Sequence, residues 1–595
     1  MGCLLGLVPD KARGLKGWIS FIFLCVVFYF SLIVFKMENS SLTLTYPVIG
    51  SLSKFFHFRI DPLSKLVVLF IGFFGMIISL YSLRFVDGGL DYKGYYSKFL
   101  WTLAASFGAV LSDNLITFTL FWGFLGLTLY RFLRGSDERS VAAAKKSFIL
   151  IGASDSILIM GLGLLWLKTG HYMISGMKVT LSGEVSIIAF LSLLIASLAK
   201  AGAFPVHSWV PDYTQAAPGS VSAFLPASLD KLLGIYFLAR ICTDIFILTP
   251  WAKLLLLTIG SVTIITAVMM ALVQHNYKKL LGYHAVSQVG YMVTGLGLGS
   301  PIGMAGGLFH MINHALYKSG LFLTAGAVEK KTGQVNIENL GGLSTVMPFT
   351  FLSALIFALS ISGVPPFNGF VSKWIIYQGI IDFGKGFSLA SHLWVIWLGS
   401  AVIGSALTLA SFIKLIGGIY LGAKRSKFKN IKETHFLMSV PYIIIALLCV
   451  GFGIAGTSVI LPELITPVTG PFRFIGLWES QTVGILILLG ILLGVIIYLM
   501  GNIKKIKTAN NFIGGEYPAE DIQYPSVEFY KTLTDIKPIG WIYQKAREKY
   551  FDVYDWGKKI VLWASHILSG LHTGVLTLYV VWTIISLGLI ILLLL

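Results

Sequence analysis

Long apolar runs follow one another along almost the whole chain, and they limit its possible folds more than any other feature. A helix needs about 20 apolar residues to cross a bilayer, and about 16 runs of that kind can be recognised. Charged residues make up only 12% of the 595 residues, and the mean hydropathy is +0.81. This composition excludes a soluble enzyme or a nucleic-acid-binding protein and predicts an all-α, multi-pass membrane protein. The predicted spans are 17–36, 64–83, 97–112, 115–133, 144–167, 184–204, 223–242, 251–273, 280–298, 303–327, 347–364, 367–382, 393–421, 437–457, 477–501 and 571–595.

The basic residues predict how the chain is oriented. The net charge is +18, and basic clusters flank the first, third and fourth predicted spans. Counting spans puts these clusters on one face, which the positive-inside rule makes cytoplasmic, in the cell inner membrane. Segment 37–63 then lies outside, and its alternating stretch from Ser41 to Tyr46 predicts a β-hairpin. The face of a further basic segment, 424–432, depends on how the broken spans are counted. The clusters are Lys11, Arg13 and Lys16; Arg84, Lys93 and Lys98; and Arg131, Arg134, Arg139, Lys145 and Lys146.

No motif indicates a cofactor or a metal. The four cysteines lie far apart and form no CxxC pair, so neither an iron–sulfur cluster nor a zinc site is predicted. No phosphate-binding or dinucleotide-binding glycine motif follows a predicted strand. We therefore expect no cofactor and no catalytic site in this chain. The cysteines are Cys3, Cys25, Cys242 and Cys449.

Ionisable side chains occur inside several predicted spans, where burying a charge costs several kcal/mol unless water solvates it or a partner side chain pairs with it. A single residue of this kind could reach the membrane surface with its side chain. Seven together favour a hydrated path through the protein, in which lysines and histidines pass protons. His310, His314 and Lys318 follow one another at four-residue spacing and share one helix face. The candidates are Lys200, Lys231, His310, His314, Lys318, Lys373 and Asp155.

Two of the lysines adjoin spans that proline and glycine interrupt. Lys200 precedes the sequence AGAFP, whereas Lys373 follows GVPPFNG. The order is reversed in the second case, as an inverted repeat requires. Paired interrupted spans in two halves of a chain are the best sequence sign of a transporter's ion site. Two ordinary proline kinks are the simpler alternative.

Four strings resemble the antiporter-like membrane subunits of respiratory complex I, Mrp-type sodium/proton antiporters and energy-converting hydrogenases. They are KAGAFPVHSWVPDYTQAAPGSVSAFL from Lys200, KKLLGYHAVSQVGYM from Lys278, FHMINHALYKSGLFL from Phe309 and SGVPPFNGFVSKW from Ser362. The resemblance covers roughly residues 60–425 and implies two inverted five-helix repeats with broken helices, within about 14–16 transmembrane helices. It also implies proton-carrying roles for the six basic candidates, with Lys373 at a position that some members fill with glutamate.

The chain departs from the family pattern at three places. A Trp-Glu pair of the family reads Trp122-Gly123 here, so the glutamate that partners the lysine matching Lys200 is absent. Asp155 matches an acidic position of several members, and we predict that it comes within direct or one-water reach of Lys200. The alternative is an aspartate that caps a local helix break beside Ser154 and Ser156. Pro226 stands where several members carry histidine. Residues 4–16 resemble the end of the family's first helix and its cytoplasmic loop, so we expect that the rest of this first helix is missing here.

The C-terminal part differs in composition from the rest. Residues 502–570 carry mixed charges and many aromatic side chains, and the last predicted span follows them. We predict an amphipathic helix over about 536–566, along the membrane surface or along partner subunits, and then a membrane anchor. A solvated linker is the alternative. We expect five segments: 1–96, N-terminal helices and hairpin; 97–250, first half-channel repeat; 251–425, second half-channel repeat; 426–501, C-terminal helices; and 502–595, surface helix and anchor.

The leading functional hypothesis is a proton-translocating subunit of a multisubunit membrane complex. Its expected partners are other membrane subunits and membrane lipid, with soluble catalytic subunits acting indirectly and no nucleic acid. The chemistry that drives transport, such as a redox reaction, would take place in those partners. Two alternatives stay open: a membrane scaffold that anchors a catalytic partner without pumping, and an ion-coupled subunit of an inorganic-carbon uptake complex.

Overall fold

The computed structural model describes residues 1–7, 13–43, 56–86, 94–133, 137–422, 428, 430–475, 480–500, 530–572 and 574–594. They group into two compact units, Met1–Leu533 and Thr534–Leu595. Ten of the described helices are long and apolar enough to cross a membrane. Each predicted span overlaps an observed helix, so the prediction of a multi-pass helical protein of the cell membrane is confirmed.

The first half of the larger unit contains helices α1 to α10, with one π-helical turn before α10 and one after it. Pro226 lies inside the first of these turns, where its missing N–H donor leaves the backbone ladder incomplete. The helices are α1 (Gly2–Leu7), α2 (Arg13–Lys36), α3 (Pro62–Phe85), α4 (Tyr95–Leu111), α5 (Leu115–Leu133), α6 (Glu138–Thr169), α7 (Glu184–Ala201), α8 (Trp209–Ala216), α9 (Gly219–Ser222) and α10 (Asp230–Arg240). The π-helical turns are Ala223–Leu229 and Ile241–Ile245.

The second half continues with helices α11 to α20. Asn276 caps α12 by accepting from two backbone N–H groups, and Ser300 caps α13 ahead of a proline at its start. The helices are α11 (Pro250–Leu272), α12 (Tyr277–Gly297), α13 (Pro301–Thr332), α14 (Pro348–Ser362), α15 (Asn368–Phe383), α16 (Leu389–His392), α17 (Trp394–Tyr420), α18 (Phe436–Ile454), α19 (Thr466–Thr469) and α20 (Ser480–Met500). A further π-helical segment, Gly456–Ile465, surrounds Pro462.

Short strands form two small pairs on the face opposite the basic clusters. Strand β1 (Ser40–Thr43) pairs in antiparallel fashion with β2 (His57–Ile60). Strand β3 (Val179–Thr180) pairs in parallel with β4 (Phe246–Ile247). The first pair confirms strand structure where the sequence predicts a hairpin, although residues 44–46 of that prediction lie outside the described residues.

Contacts between helix ends define one face of the larger unit, which we call the basic face. Lys330, in the last turn of α13, donates to the carbonyl oxygens of Arg84 and Phe85 at the end of α3. The N–H of Gly342 donates to the carbonyl of Leu421, 2.9 Å away, just after α17. The end of α17 therefore lies at this face, and residues 424–427 and 429 of the basic segment that follows lie outside the described residues.

The smaller unit contains α22 (Lys537–Arg547), α23 (Val553–Leu571) and α24 (Leu576–Leu594), and the short helix α21 (Thr532–Asp535) precedes them. The prediction of one helix over 536–566 is wrong, because 548–552 interrupts it. Lys549 adopts a left-handed conformation with φ of 59°, which ends a helix. The Asp552 side chain then caps α23 by accepting from the Tyr554 N–H at 3.0 Å. Residues 502–529 of the predicted segment lie outside the described residues.

Candidate functional site

Two interrupted helices lie in the middle of the larger unit, as the sequence predicts. Helix α7 ends at Ala201, and Gly202 follows with φ of 76°. Helix α14 ends at Ser362, and Gly363 follows with φ of 79°. A positive φ suits glycine, which has no Cβ to clash, and stops the helix. Each break therefore leaves helix-end carbonyl groups inside the protein, where they need donors.

At each break a buried lysine donates to a carbonyl group in the last turn of the interrupted helix. The Nζ of Lys231 donates to the carbonyl of Ala201 at 2.5 Å, and the Nζ of Lys373 donates to the carbonyl of Ile361 at 2.8 Å. The end of a helix carries partial negative charge, so it stabilises an ammonium group. The sequence context groups Lys200 with Lys373, but these contacts make Lys231 the counterpart of Lys373. The sequence could not show this, because Lys231 approaches the break from another helix.

Lys200 and Asp155 both contact Trp122. The Lys200 Nζ lies 3.2 Å from the Trp122 carbonyl oxygen and 4.7 Å from the centre of the indole ring. The indole N–H donates to Asp155 at 2.9 Å. No ion pair within 4.0 Å joins Lys200 to Asp155 among the described residues, but their charges are close enough to interact. The tryptophan side chain thus links the two groups, and α6 runs through Asp155 without a break.

A second carboxylate serves the lysines of the first half. Asp230 is 3% exposed and interacts electrostatically with Lys200 and Lys231. Its Oδ2 atom has no hydrogen-bond partner within the described part of the chain. A buried polar atom without a partner loses free energy, so this oxygen needs a donor such as water or a proton.

Gly123, the position of the absent glutamate, lies on the exposed side of α5. A Cβ atom built there would have no described atom within 4 Å. A longer side chain therefore has room at this position, but the space is at the outer surface. The carbonyl and ring of the preceding Trp122, in contrast, point inward to Lys200.

The second half gathers its candidates on α13 and α15. His310 contacts the Ser372 hydroxyl at 2.9 Å through Nδ1 and the Gln288 Oε1 at 3.2 Å through Nε2. Both ring nitrogens of His314 and the Nζ of Lys318 lack partners among the described residues. All six basic candidates are 0–2% exposed, and they are Lys200, Lys231, His310, His314, Lys318 and Lys373.

Helix α12 supplies residues that the sequence analysis did not select. The ring of Tyr291 lies 4.7 Å from the Lys373 Nζ, and Gln288 contacts His310. His284, which is 0% exposed, bonds the Ser411 hydroxyl at 2.8 Å through Nε2. Spacings of four and three place these α12 residues on one helix face, and that pattern was the available signal. Lys414 on α17 is also buried, at 2% exposure.

A cluster of charges at the opposite face ties β2 to the end of α10. Arg240 donates to both carboxylate oxygens of Asp61 at 2.6 and 2.7 Å, and Arg59 lies 2.7 Å from Asp244. Burial by itself raises the pKa of the Asp61 carboxyl, but the hydrogen bond and charge of Arg240, with the charge of Arg59, hold this pKa well below its usual range. The carboxylate therefore stays ionised and holds the two elements together.

A multi-pass bundle with two broken helices and a buried line of basic side chains defines a class of ion-handling membrane proteins. Residues 112–404 match the family described as "NADH:quinone oxidoreductase/Mrp antiporter, TM". The "Na(+)/H(+) antiporter subunit A1" of Staphylococcus haemolyticus is 30% identical over 452 residues, covering 72% of this chain and 56% of that protein. Its counterpart in Staphylococcus aureus strain MRSA252 is 30% identical over 478 residues, covering 76% and 59%. The chain therefore belongs to the antiporter-like membrane subunit family.

Two solved structures share the fold. A chain of the membrane-bound sulfane sulfur reductase (MBS), an archaeal respiratory membrane complex, aligns with a TM-score of 0.83 at 22% identity, over 99% of this chain and 98% of that one. A chain of the Mrp complex from Dietzia sp. DQ12-45-1b aligns with a TM-score of 0.68 at 22% identity, over 76% and 92%. The chain spans little more than half the length of the curated relatives described above.

Proposed function

We propose that this chain translocates protons along the line formed by Lys200, Lys231, His310, His314, Lys318 and Lys373. The observation that carries the proposal is the burial of all six at membrane depth, where charged groups are costly without a function. His314 and Lys318 strengthen it, because their buried polar atoms have no protein partner among the described residues. Buried polar atoms of this kind are normally satisfied by internal water, which also conducts protons.

The broken helices supply the electrostatic basis of the mechanism. At each break a lysine ammonium is stabilised by a helix-end carbonyl, at Ala201 for Lys231 and at Ile361 for Lys373. Loss of the proton weakens this contact and frees the side chain to turn toward the next group. Asp155 and Asp230 compensate the positive charge of the first half, so a proton moving along the line changes which lysines are charged.

We further propose that the chain works inside a membrane complex, whose other subunits supply the driving reaction. The two related solved structures come from such complexes. The smaller unit presents large aromatic side chains to its surroundings, including Trp541, Trp556 and Trp563, which are 50–67% exposed. Exposed aromatic side chains on amphipathic helices suit a membrane surface or a neighbouring subunit. The basic face is then the cytoplasmic one.

Lys318→Gln tests the proposal. The full chain, with the membrane subunits that copurify with it, is reconstituted into vesicles, and proton flux under an imposed potential is followed with an enclosed pH dye. We expect the flux to fall by at least about tenfold, as for loss of a proton-transfer group. Lys385→Gln is the matched control, because the Lys385 side chain is 66% exposed. Equal flux in Lys318→Gln and the wild type would refute proton transport and leave the scaffold alternative.

A further inference from the structure

We infer that His284, Ser411 and Lys414 form a proton-access route from the basic face to Lys318. The inference rests on the proposed function and adds residues to the same site. The route joins α12 to α17 through contacts between residues more than one hundred positions apart in sequence.

The outer end of the route lies at the basic face. The Lys414 Nζ donates to the carbonyl of Gln274 at 2.9 Å and to the carbonyl of Leu272, just where α11 ends. Its charge also interacts with that of Glu338, which pairs with His275. The His275 and Glu338 side chains are 59% and 34% exposed, so they contact solvent. Lys414 therefore lies one step from water, although it is itself buried.

The middle of the route is a serine–histidine pair. Ser411 precedes Lys414 by three residues on α17, so the two side chains share a helix face. The Ser411 hydroxyl lies 2.8 Å from the His284 Nε2. A hydroxyl both donates and accepts, and so does a neutral imidazole through its two nitrogens. A proton received at Nε2 and a proton released from Nδ1 leave the ring neutral in its other tautomer, so the relay step is balanced.

The inner end of the route adjoins Lys318. The Nδ1 of His284 and the Nζ of Lys318 have no hydrogen-bond partner in the part of the chain that the structure describes. Both groups contact the same side chain, Phe412: the His284 ring centre lies 4.8 Å and the Lys318 Nζ 5.8 Å from its ring centre. The two groups also interact electrostatically. An internal water that satisfies both orphan atoms would complete the connection.

A purely structural role explains only part of this arrangement. The bond from His284 to Ser411 holds α12 against α17. Asparagine or glutamine in place of His284 could form such a bond to Ser411 equally well. It does not explain why the second ring nitrogen stays buried without a protein partner among the described residues. A buried nitrogen without a hydrogen-bond partner destabilises the fold, and a purely structural contact does not require such a nitrogen.

The test compares proton flux in His284→Gln, Ser411→Ala and Ser411→Thr in the vesicle assay. Glutamine keeps a hydrogen bond to Ser411 but cannot relay a proton, and threonine keeps the hydroxyl that alanine removes. Thr408→Ala is the matched control, because Thr408 is on the same helix, is 0% exposed and donates to the Gly404 carbonyl of that helix at 2.7 Å. We expect about tenfold lower flux in His284→Gln and Ser411→Ala, with near-wild-type flux in Ser411→Thr and Thr408→Ala.

The unfolding temperature of each purified variant separates lost relay from lost folding. Unchanged unfolding with lower flux in His284→Gln supports the route. Wild-type flux in folded His284→Gln, while Lys318→Gln abolishes flux, refutes the route and leaves the proposed function standing. Wild-type flux in Lys318→Gln refutes the proposed function itself. Equal loss in Ser411→Ala and Ser411→Thr would contradict a role for the hydroxyl.

Discussion

The lysines of the first half and those of the second half lie in different electrostatic surroundings. Lys200 and Lys231 have Asp230 nearby, and Lys200 also interacts with Asp155. In the second half, no acidic side chain among the described residues interacts with Lys318 or Lys373. Lys318 has aromatic rings and the nearby His314 instead, and Lys373 has the ring of Tyr291 and the carbonyl of Ile361.

If protons move along this line as we propose, the difference in acidic partners gives the two halves different free-energy costs for holding a proton. A carboxylate offsets most of the cost of burying an ammonium group, so the first half can hold a proton at rest. Without such a partner, an ammonium in the second half costs more, and its proton passes on more readily. A proton would then move from the compensated first half to the uncompensated second half when an event elsewhere changes the charge on Asp155 or Asp230.

Removing the Asp230 carboxylate should have the largest effect on the difference between the two halves. Asp230→Asn leaves Lys200 and Lys231 without their shared acid, and an uncompensated buried charge costs about 3–5 kcal/mol. We expect proton flux in vesicles to fall about 100-fold, since each tenfold step corresponds to about 1.4 kcal/mol. Ser228→Ala is the control, because Ser228 is equally buried on the same segment and bonds its own helix. Flux at the wild-type level in Asp230→Asn would show that acid compensation is not needed.

The sequence revealed the interrupted spans and the buried basic residues, because proline, glycine and a charge in an apolar run are local signals. It also located both ends of α5, whose predicted span was 115–133, whereas the predicted span 144–167 starts six residues after α6 begins. The contacts that distinguish the two halves were not predictable in this way. Lys231 bonds Ala201, and His284 bonds Ser411, only because helices far apart in the sequence pack together. The break at Lys549 depends on one residue's backbone conformation, which helical periodicity cannot reveal.

Alanine at Gly202 and at Gly363 tests whether the lysines of the two halves respond differently to crowding at the helix breaks. At Gly202 a Cβ would lie 2.6 Å from Val210 and 2.9 Å from the Lys231 Nζ, whereas at Gly363 the nearest atom is the Lys373 Cδ at 3.0 Å. We expect flux to fall about tenfold in Gly202→Ala and about threefold in Gly363→Ala, which corresponds to about 1.4 and 0.7 kcal/mol.

The control for these variants is Gly333→Ala. Gly333 also has a positive φ, of 66°, at the end of α13, but no described atom lies within 4 Å of its Cβ position. Alanine there carries the backbone strain, about 1–2 kcal/mol, without pushing on a lysine. We expect lower thermal stability with unchanged flux. If Gly333→Ala slows transport as much as Gly202→Ala, strain rather than the lysine contact determines the rate.

The smallest expected effect concerns Asp155, which we predict to substitute for the glutamate that is absent at Gly123. Asp155 bonds the Trp122 indole, while neighbouring Ser154 and Ser156 bond their own helix, so the carboxylate is not a local helix cap. Asp155 interacts with one of the two lysines, Lys200, whereas Asp230 interacts with both Lys200 and Lys231, so removing the charge of Asp155 costs less than removing that of Asp230. We expect Asp155→Asn to lower flux about threefold, or about 0.7 kcal/mol, in the vesicle assay.

Gly123→Glu is the counterpart of that experiment. Its side chain has room, but the space is on the exposed side of α5, so it adds a carboxylate away from the contact between Lys200 and Trp122. We expect folded protein with flux close to that of the wild type. If Asp155→Asn leaves transport unchanged while Gly123→Glu increases it, then Asp155 does not act for the absent glutamate. The acid compensation of Lys200 would then come from Asp230 alone, and the contrast between the two halves would depend on a single carboxylate.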